Sequence, residues 1–202
     1  MKPNENIITN DDINKLIVES THPMNSLNIV LPYSYISKTI ALNWHDILFL
    51  IDTGYLNYQV AIEHAQFELE NDGYPKAVLD LACLFPAENI FPHSIHPYID
   101  ELASMVCEEE KSKAKDKAIY ILLKWIYEHR KAYEDVFNVL TIICDDFGFP
   151  ETITHFAWYV SVDEFNDLGS AKENKDRWLG YWKQFLDDQH AKWKIPCIHL
   201  SQ

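Results

Sequence analysis

Several residue types that commonly carry out chemistry are present, but few have the spacing of a known site. Among nine histidines, His93 and His96 form the only close pair; no cysteine lies near them, and Glu88 is the closest upstream carboxylate. The sequence contains no Gly-x-Ser-x-Gly elbow, His-Glu-x-x-His motif or calcium loop. Neighbouring carboxylates on a helix diverge by about 100°, which applies to Asp100–Glu101, Asp145–Asp146 and Asp187–Asp188. We therefore predict no catalytic residue and no metal ligand, and we classify the chain as a non-enzyme.

Glycine is scarce, which bears on nucleotide cofactors. The chain has 5 glycines, and none lies in a G-x-G-x-x-G or G-x-x-x-x-G-K pattern. Loops that bind phosphate need glycine where backbone amides close on the ligand. We therefore expect no cofactor.

Charge is distributed unevenly along the chain. The net charge is −14, and residues 1–110 hold 17 carboxylates but only 4 lysines. Such a surface repels nucleic acid and anionic membranes and favours a basic protein partner. An alternative is that the negative charge only maintains solubility.

The clearest candidate for an acidic surface is a predicted amphipathic helix over residues 57–71. Its apolar stripe contains Tyr58, Ile62, Ala65 and Leu69, and Glu63 and Glu70 belong to the opposite, polar stripe. We predict that Glu63 and Glu70 bind a partner. Five further acidic residues lie nearby in sequence and complete the predicted binding set: Asp46, Asp52, Asp72, Asp100 and Glu101.

The elements that would position these residues are helices. Apolar residues recur at helical spacing between Gly and Pro punctuation, whereas strand signals are weak and confined to 27–31, 158–162 and 195–200. We predict an all-α (mainly α) fold of seven to nine helices, either a helical bundle or a short α-solenoid of stacked helical hairpins. The aromatic stripe near the C-terminus is expected to pack in the core.

We expect one helical domain over residues 1–202, with a hypothesised internal duplication. Residues 48–82 match 123–157 at six positions, best at Gly73-Tyr74-Pro75 against Gly148-Phe149-Pro150. Each triplet would end one helix and start the next, as stacked helical repeats do.

Cysteines and terminal sequence favour a cytoplasmic protein. The four cysteines are far apart in apolar sequence, so we predict reduced and mostly buried thiols. The polar N-terminal residues lack the apolar region of a signal peptide, and no stretch approaches the roughly 20 apolar residues of a membrane span.

The segment Ala41-Leu42-Asn43-Trp44-His45-Asp46-Ile47, followed by Gly54-Tyr55-Leu56 and the Gly73-Tyr74-Pro75 turn, carries a family resemblance. Over about residues 35–195 the chain resembles small, uncharacterised bacterial proteins. These look like immunity proteins of polymorphic toxin systems, including contact-dependent growth inhibition. The resemblance implies a cytosolic, non-catalytic inhibitor of a cognate toxin domain, and it transfers no functional residue.

Charge and resemblance together lead to a functional hypothesis. Many such toxins are nucleases, whose phosphate-binding surfaces are basic and would complement an acidic inhibitor. An alternative is a helical-repeat scaffold or adaptor that binds a different protein. An enzyme whose site is assembled only by the fold is a third hypothesis, and it would require a deep pocket with titratable groups of perturbed pKa.

Overall fold

The computed structural model describes residues 7–70, 73–84, 92–153 and 171–193. The regular elements of these residues are helices, with one isolated bridge between Ile8 and Tyr133, which confirms the all-α prediction. They are α1 (Asn10–Glu19), α2 (Tyr33–Thr39), α3 (Trp44–Asp52), α4 (Gln59–Glu68), α5 (Lys76–Ala82), α6 (Pro92–Ser104), α7 (Glu108–Lys111), α8 (Ala114–His129), a 3-10 turn (Arg130–Ala132), α9 (Val136–Asp146) and α10 (Ala171–Trp193). Nine of these α-helices have seven or more residues, and α7 has 4.

The described residues form two compact units. The first unit takes its residues from Met1–Asn28 and Leu122–Trp193, and the second contains Ile29–Ile121. The division falls within α8. The single domain over 1–202 stays a prediction.

Thr9 and Asn43 are residue types that favour helix N-caps, and a side-chain cap starts a helix at each of them. Asn43 Oδ1 accepts the backbone N–H of Asp46 at 2.9 Å, and the Asp46 carboxylate accepts the backbone N–H of Asn43 at 2.9 Å. Thr9 and Asp12 form the same reciprocal box at the start of α1. Such boxes satisfy backbone donors that a helix N-terminus otherwise leaves free.

Positive backbone angles occur at the glycines of both predicted turns; Gly148 directly follows the C-cap of α9, whereas α4 already ends at Glu68. Gly73 has φ +88° and Gly148 has φ +69°, a region that glycine occupies without the steric cost of a Cβ atom. Pro75 then precedes α5. The matching geometry of the two glycines is consistent with the hypothesised duplication, which stays a prediction because residues 154–157 lie outside the described part.

In the second unit, α4 packs against α5, α5 against α6, α6 against α3, and α2 against α4. Ile62 and Ala65 of α4 are fully buried, as the predicted apolar stripe requires. The nearly continuous apolar residues after Pro75 (Val78, Leu79, Leu81, Ala82 and Leu84) predict a helix without a polar face, and this prediction is wrong at Leu79, which is 41% exposed. Its neighbour Asp80 pairs with Lys76 at the surface.

In the first unit, α10 contributes the fully buried Trp182, whose ring packs edge-on against Tyr127 at 5.3 Å between centroids. This confirms the predicted core role of that tryptophan. Asp146 ends α9 and accepts both the backbone N–H and the hydroxyl of Ser26, at 3.0 and 2.5 Å. The carboxylate pair Asp145–Asp146 therefore includes a structural tether.

Two further sequence predictions concern cysteines and membranes. Cys83, Cys107 and Cys144 have free thiols, but Cys83 and Cys107 are exposed, so the prediction of mostly buried thiols is wrong for these two. Both lie at helix ends, where side chains readily reach solvent. Within the described ranges, no helix has the length and apolarity needed to cross a bilayer. The sequence Ser170-x-x-Glu173 predicts a capping box, but Ser170 lies outside the described residues, as do Cys197 and the strand signals at 158–162 and 195–200. Residues 27–31 form no strand.

Candidate functional site

Asp46, which the sequence analysis assigns to the acidic surface, is buried. Its side chain is 1% exposed, and Oδ2 lies 2.5 Å from the Nζ of Lys117, itself 7% exposed. Burial raises the pKa of Asp46, and this effect exceeds the opposing effects of the Lys117 ion pair and the Asn43 backbone N–H. Asp46 therefore caps α3 and pairs with Lys117 in the core, and we remove it from the surface.

The predicted carboxylates that remain are exposed where the structure describes them. Glu63, Glu70 and Glu101 lie at the surface, and among the described residues none has a lysine or arginine within ion-pair distance. Asp72 lies outside the described residues. These three carboxylates present negative charge that no lysine or arginine of the described residues neutralises.

Asp52 and Asp100 are brought together by the packing of α3 against α6. His96 Nε2 lies 3.3 Å from Asp52 Oδ1, and His96 Nδ1 lies 3.3 Å from Asp100 Oδ2. The ring of Tyr58 lies 5.8 Å from that of His96, and burial together with the two carboxylates raises the pKa of Tyr58. Over the described ranges, no three His, Cys, Asp or Glu side chains form a group that could hold a metal ion.

The basic run at Lys111–Lys117 is largely neutralised by its own neighbourhood. Lys111 pairs with Glu108 at 2.7 Å, and Lys113 pairs with Glu109 and Glu110. Because the run contains Asp116 and directly follows Glu108, Glu109 and Glu110, the sequence predicts local pairing, and these ion pairs confirm it. Since Lys117 is buried, few exposed cations remain to offset the carboxylates of the second unit.

The sequence analysis missed a small cavity beside α4. Its volume is about 200 Å³. Polar side chains line one part of it and apolar side chains another: Tyr33, Ser37, Ile40, Ala41, Leu42, His64, Phe67 and Glu68. Helix α2, the segment before α3, and α4 position these residues.

We call this cavity the His64 pocket. A series of polar contacts connects side chains in and beside it. The Tyr33 hydroxyl lies 2.8 Å from His64 Nδ1, and His64 Nε2 lies 3.3 Å from Glu68 Oε1. The indole N–H of Trp44 donates to Glu68 Oε2 at 3.0 Å. His64 Nε2 is buried and, among the described residues, has no hydrogen-bond partner beyond its 3.3 Å contact with Glu68.

The pKa values of the pocket follow from burial and these contacts. Burial, reinforced by the charges of Glu68 and Glu63, raises the pKa of Tyr33 to about 12. Burial by itself raises the pKa of Glu68, but its contacts with His64 and Trp44 outweigh this and hold that pKa below its usual value. Tyr33 is therefore a neutral hydrogen-bonding group at neutral pH, and Glu68 is a carboxylate.

This arrangement suits binding better than nucleophilic catalysis. A nucleophilic or basic tyrosine needs a lowered pKa, whereas that of Tyr33 is raised. An ionised carboxylate beside apolar and aromatic walls can instead attract a cation. In the sequence, the spacing of His64 and Glu68 on one helix indicates that they can meet, but nothing local connects them to Tyr33 or Trp44.

A second and larger cavity, of about 610 Å³, lies in the first unit. Its polar residues bond to one another: the Asn10 backbone N–H donates to Glu134 at 3.0 Å, and the Asn138 amide donates to Asn10 at 3.1 Å. These bonds connect α1 with the start of α9, so Asn10, Glu134 and Asn138 have a structural role.

The chain is similar to one known bacterial family over most of its length. The sequence profile of a bacterial family, described as uncharacterized protein conserved in bacteria (DUF2247), matches residues 33–190. No curated protein and no solved structure matches the chain. The matched range includes the His64 pocket and the described carboxylates of the candidate surface.

Proposed function

The chain belongs to the bacterial DUF2247 family, and we propose that it is a non-catalytic inhibitor that binds a basic protein through its acidic second unit. The partner is a cognate bacterial toxin domain, which the chain neutralises in the cytoplasm. A nuclease is the toxin class with the best charge complementarity, because nucleases must bind phosphates.

The observation that carries this proposal is the set of exposed carboxylates that no described cation neutralises. Glu63, Glu70 and Glu101 have no lysine or arginine partner among the described residues. Asp52 and Asp100 share only His96. A protein stabilised by its own ion pairs would combine such residues with cations, whereas a surface that binds a basic partner leaves them available.

The immunity role is supported by the resemblance to immunity proteins and by the net charge of −14. Negative charge on a folded surface accelerates encounter with a basic protein by about 10- to 1,000-fold. A few buried side chains then supply most of the affinity. An inhibitor needs no catalytic group, because occupying the toxin surface is sufficient.

Charge reversal on α4 and just beyond it tests the surface. We predict that Glu63→Lys with Glu70→Lys slows association with the C-terminal toxin domain encoded directly upstream by about tenfold or more at low ionic strength. The association rate should also become less sensitive to salt, because screening then has less attraction to weaken. Stopped-flow mixing at several salt concentrations measures both effects.

The matched control is Glu19→Lys with Asp145→Lys, two exposed carboxylates of the first unit. Both double variants change the net charge from −14 to −10, since each substitution adds two charges. The control should associate nearly as fast as the unmodified chain. Equal slowing by both variants would mean that net charge matters and this surface does not.

A further inference from the structure

The His64 pocket has the size of a site for one side chain. Its volume of about 200 Å³ lies below the roughly 300–1,000 Å³ typical of small-molecule and cofactor sites. The pocket lies on the same helix, α4, that carries the exposed Glu63. A protein that docks on this helix could therefore insert a side chain into the pocket.

The charge of the pocket selects a cation. Glu68 is ionised at neutral pH, its side chain is 29% exposed, and none of the described residues that line the pocket is a lysine or arginine. Glu63 adds negative charge close enough to raise the pKa of Tyr33. His64 Nε2 is buried without a hydrogen-bond partner, which leaves the polar side of the pocket incompletely satisfied.

The walls of the pocket favour arginine over lysine. Phe67 is 51% exposed at the mouth, and its ring can cover a flat guanidinium. A guanidinium is more weakly hydrated than an ammonium group and presents five donors in one plane. Each carboxylate oxygen has two lone-pair sites, so Glu68 can accept further bonds beside the one from Trp44, and its Oε1 has only the 3.3 Å contact with His64 among the described residues.

We infer that the His64 pocket binds an arginine side chain of the basic protein partner, with Glu68 as its counter-ion and Phe67 stacked on the guanidinium. This inference deepens the proposed function and rests on it for the identity of the partner. The pocket would supply one of the buried anchors that the acidic surface alone lacks. Arginine is among the residues most often found as such anchors.

The test uses the full chain and small probes, so it needs no partner protein. The ¹⁵N-labelled chain is titrated with Nα-acetyl-arginine amide while the indole N–H resonance of Trp44 is followed by NMR. We expect a saturable shift of this resonance, because its acceptor is Glu68. The neutral isostere Nα-acetyl-citrulline amide should bind at least about tenfold more weakly, and the lysine derivative should also bind more weakly.

Two variants and one control locate the binding. Glu68→Gln keeps the shape and an acceptor for Trp44 but removes the charge, and it should weaken arginine binding about tenfold or more. Glu70→Gln makes the same change in net charge at an exposed carboxylate outside the pocket and should leave binding unchanged. Phe67→Ala removes an exposed ring, leaves the core intact and should weaken binding about threefold.

Equal binding of arginine and citrulline, equal binding of lysine and arginine, or an unchanged affinity in E68Q would overturn the inference. If these results occur while E63K/E70K still slows toxin association, the pocket assignment fails and the proposed function stands. If the pocket binds arginine selectively but the toxin domain does not bind the chain, the proposed function fails.

Discussion

Asp46 and Lys117 form a contact between positions 71 residues apart in the sequence. Both side chains are almost fully buried, and the carboxylate also closes the capping box of α3. A buried ion pair contributes little when compared with an apolar pair, but removing one partner leaves an uncompensated charge in the core. Each residue of the pair therefore needs the other to balance its charge in the core.

Lys117→Met should destabilise the protein by about 3–5 kcal/mol, because it leaves Asp46 buried without its cation. Urea unfolding followed by circular dichroism measures this loss. Lys113→Met, at a partly exposed surface pair, should cost less than about 1 kcal/mol. Adding Asp46→Asn to Lys117→Met should recover part of the stability, since no charge then remains buried. A loss below about 0.5 kcal/mol in the single variant would contradict this account.

Because of Tyr33, the stability of the folded protein should depend on pH in the alkaline range. In the unfolded chain the pKa of Tyr33 is about 10, whereas in the folded protein burial and the charges of Glu68 and Glu63 raise it to about 12. The neutral Tyr33 hydroxyl stabilises the folded protein fully below about pH 10. This stabilisation is lost as the pH rises to about 12, because the unfolded state releases the proton first. The tyrosinate absorbance of the unmodified chain minus that of Tyr33→Phe should show a midpoint near 12. A midpoint near 10 would show that the hydroxyl is not held as described.

At this scale, the sequence predicted exposure for Glu63 and Glu70 because helical periodicity assigns them to a polar stripe. It could not predict the burial of Asp46, since nothing near Asp46 indicates that Lys117 folds against it. The same limit applies to the His64 pocket, whose hydroxyl and indole come from α2 and α3. Periodicity reports which face of a helix is apolar, and tertiary packing decides which polar side chains meet.

Among the elements, those with local signals were predicted best. Asn43 and Asp46 fix the start of α3, and Gly73 and Pro75 fix the turn before α5, because caps and turns act over a few residues. The polar side of α5 was missed since its short apolar run looks continuous, although Leu79 reaches the surface. Which helices pack together, such as α3 with α6, depends on contacts distant in sequence. That pairing is what brings Asp52 and Asp100 to His96.

At the scale of the whole molecule, the uneven distribution of charge along the sequence matters because the fold exposes much of the excess negative charge. Among the described residues, part of the carboxylate excess of residues 1–110 appears in the second unit as exposed side chains such as Glu63, Glu70 and Glu101. Four lysines of that unit are paired: Lys76, Lys111, Lys113 and Lys117. Composition could predict this imbalance, because charge counts do not depend on the fold. The structure was needed to show that Asp46 lies in a buried pair with Lys117 and that Asp52 and Asp100 contact His96. It was also needed to show which carboxylates are exposed without a lysine or arginine partner among the described residues.

The central claim is that the chain neutralises a toxin by binding it. The most direct measurement is co-expression with the C-terminal domain of the protein encoded directly upstream, scored by cell growth and by recovery of a stable complex. We predict that the domain alone stops growth, that the chain restores it, and that the two proteins purify together. A domain that is harmless alone, or that kills in the presence of the chain, would contradict the claim and favour a helical scaffold that binds another protein.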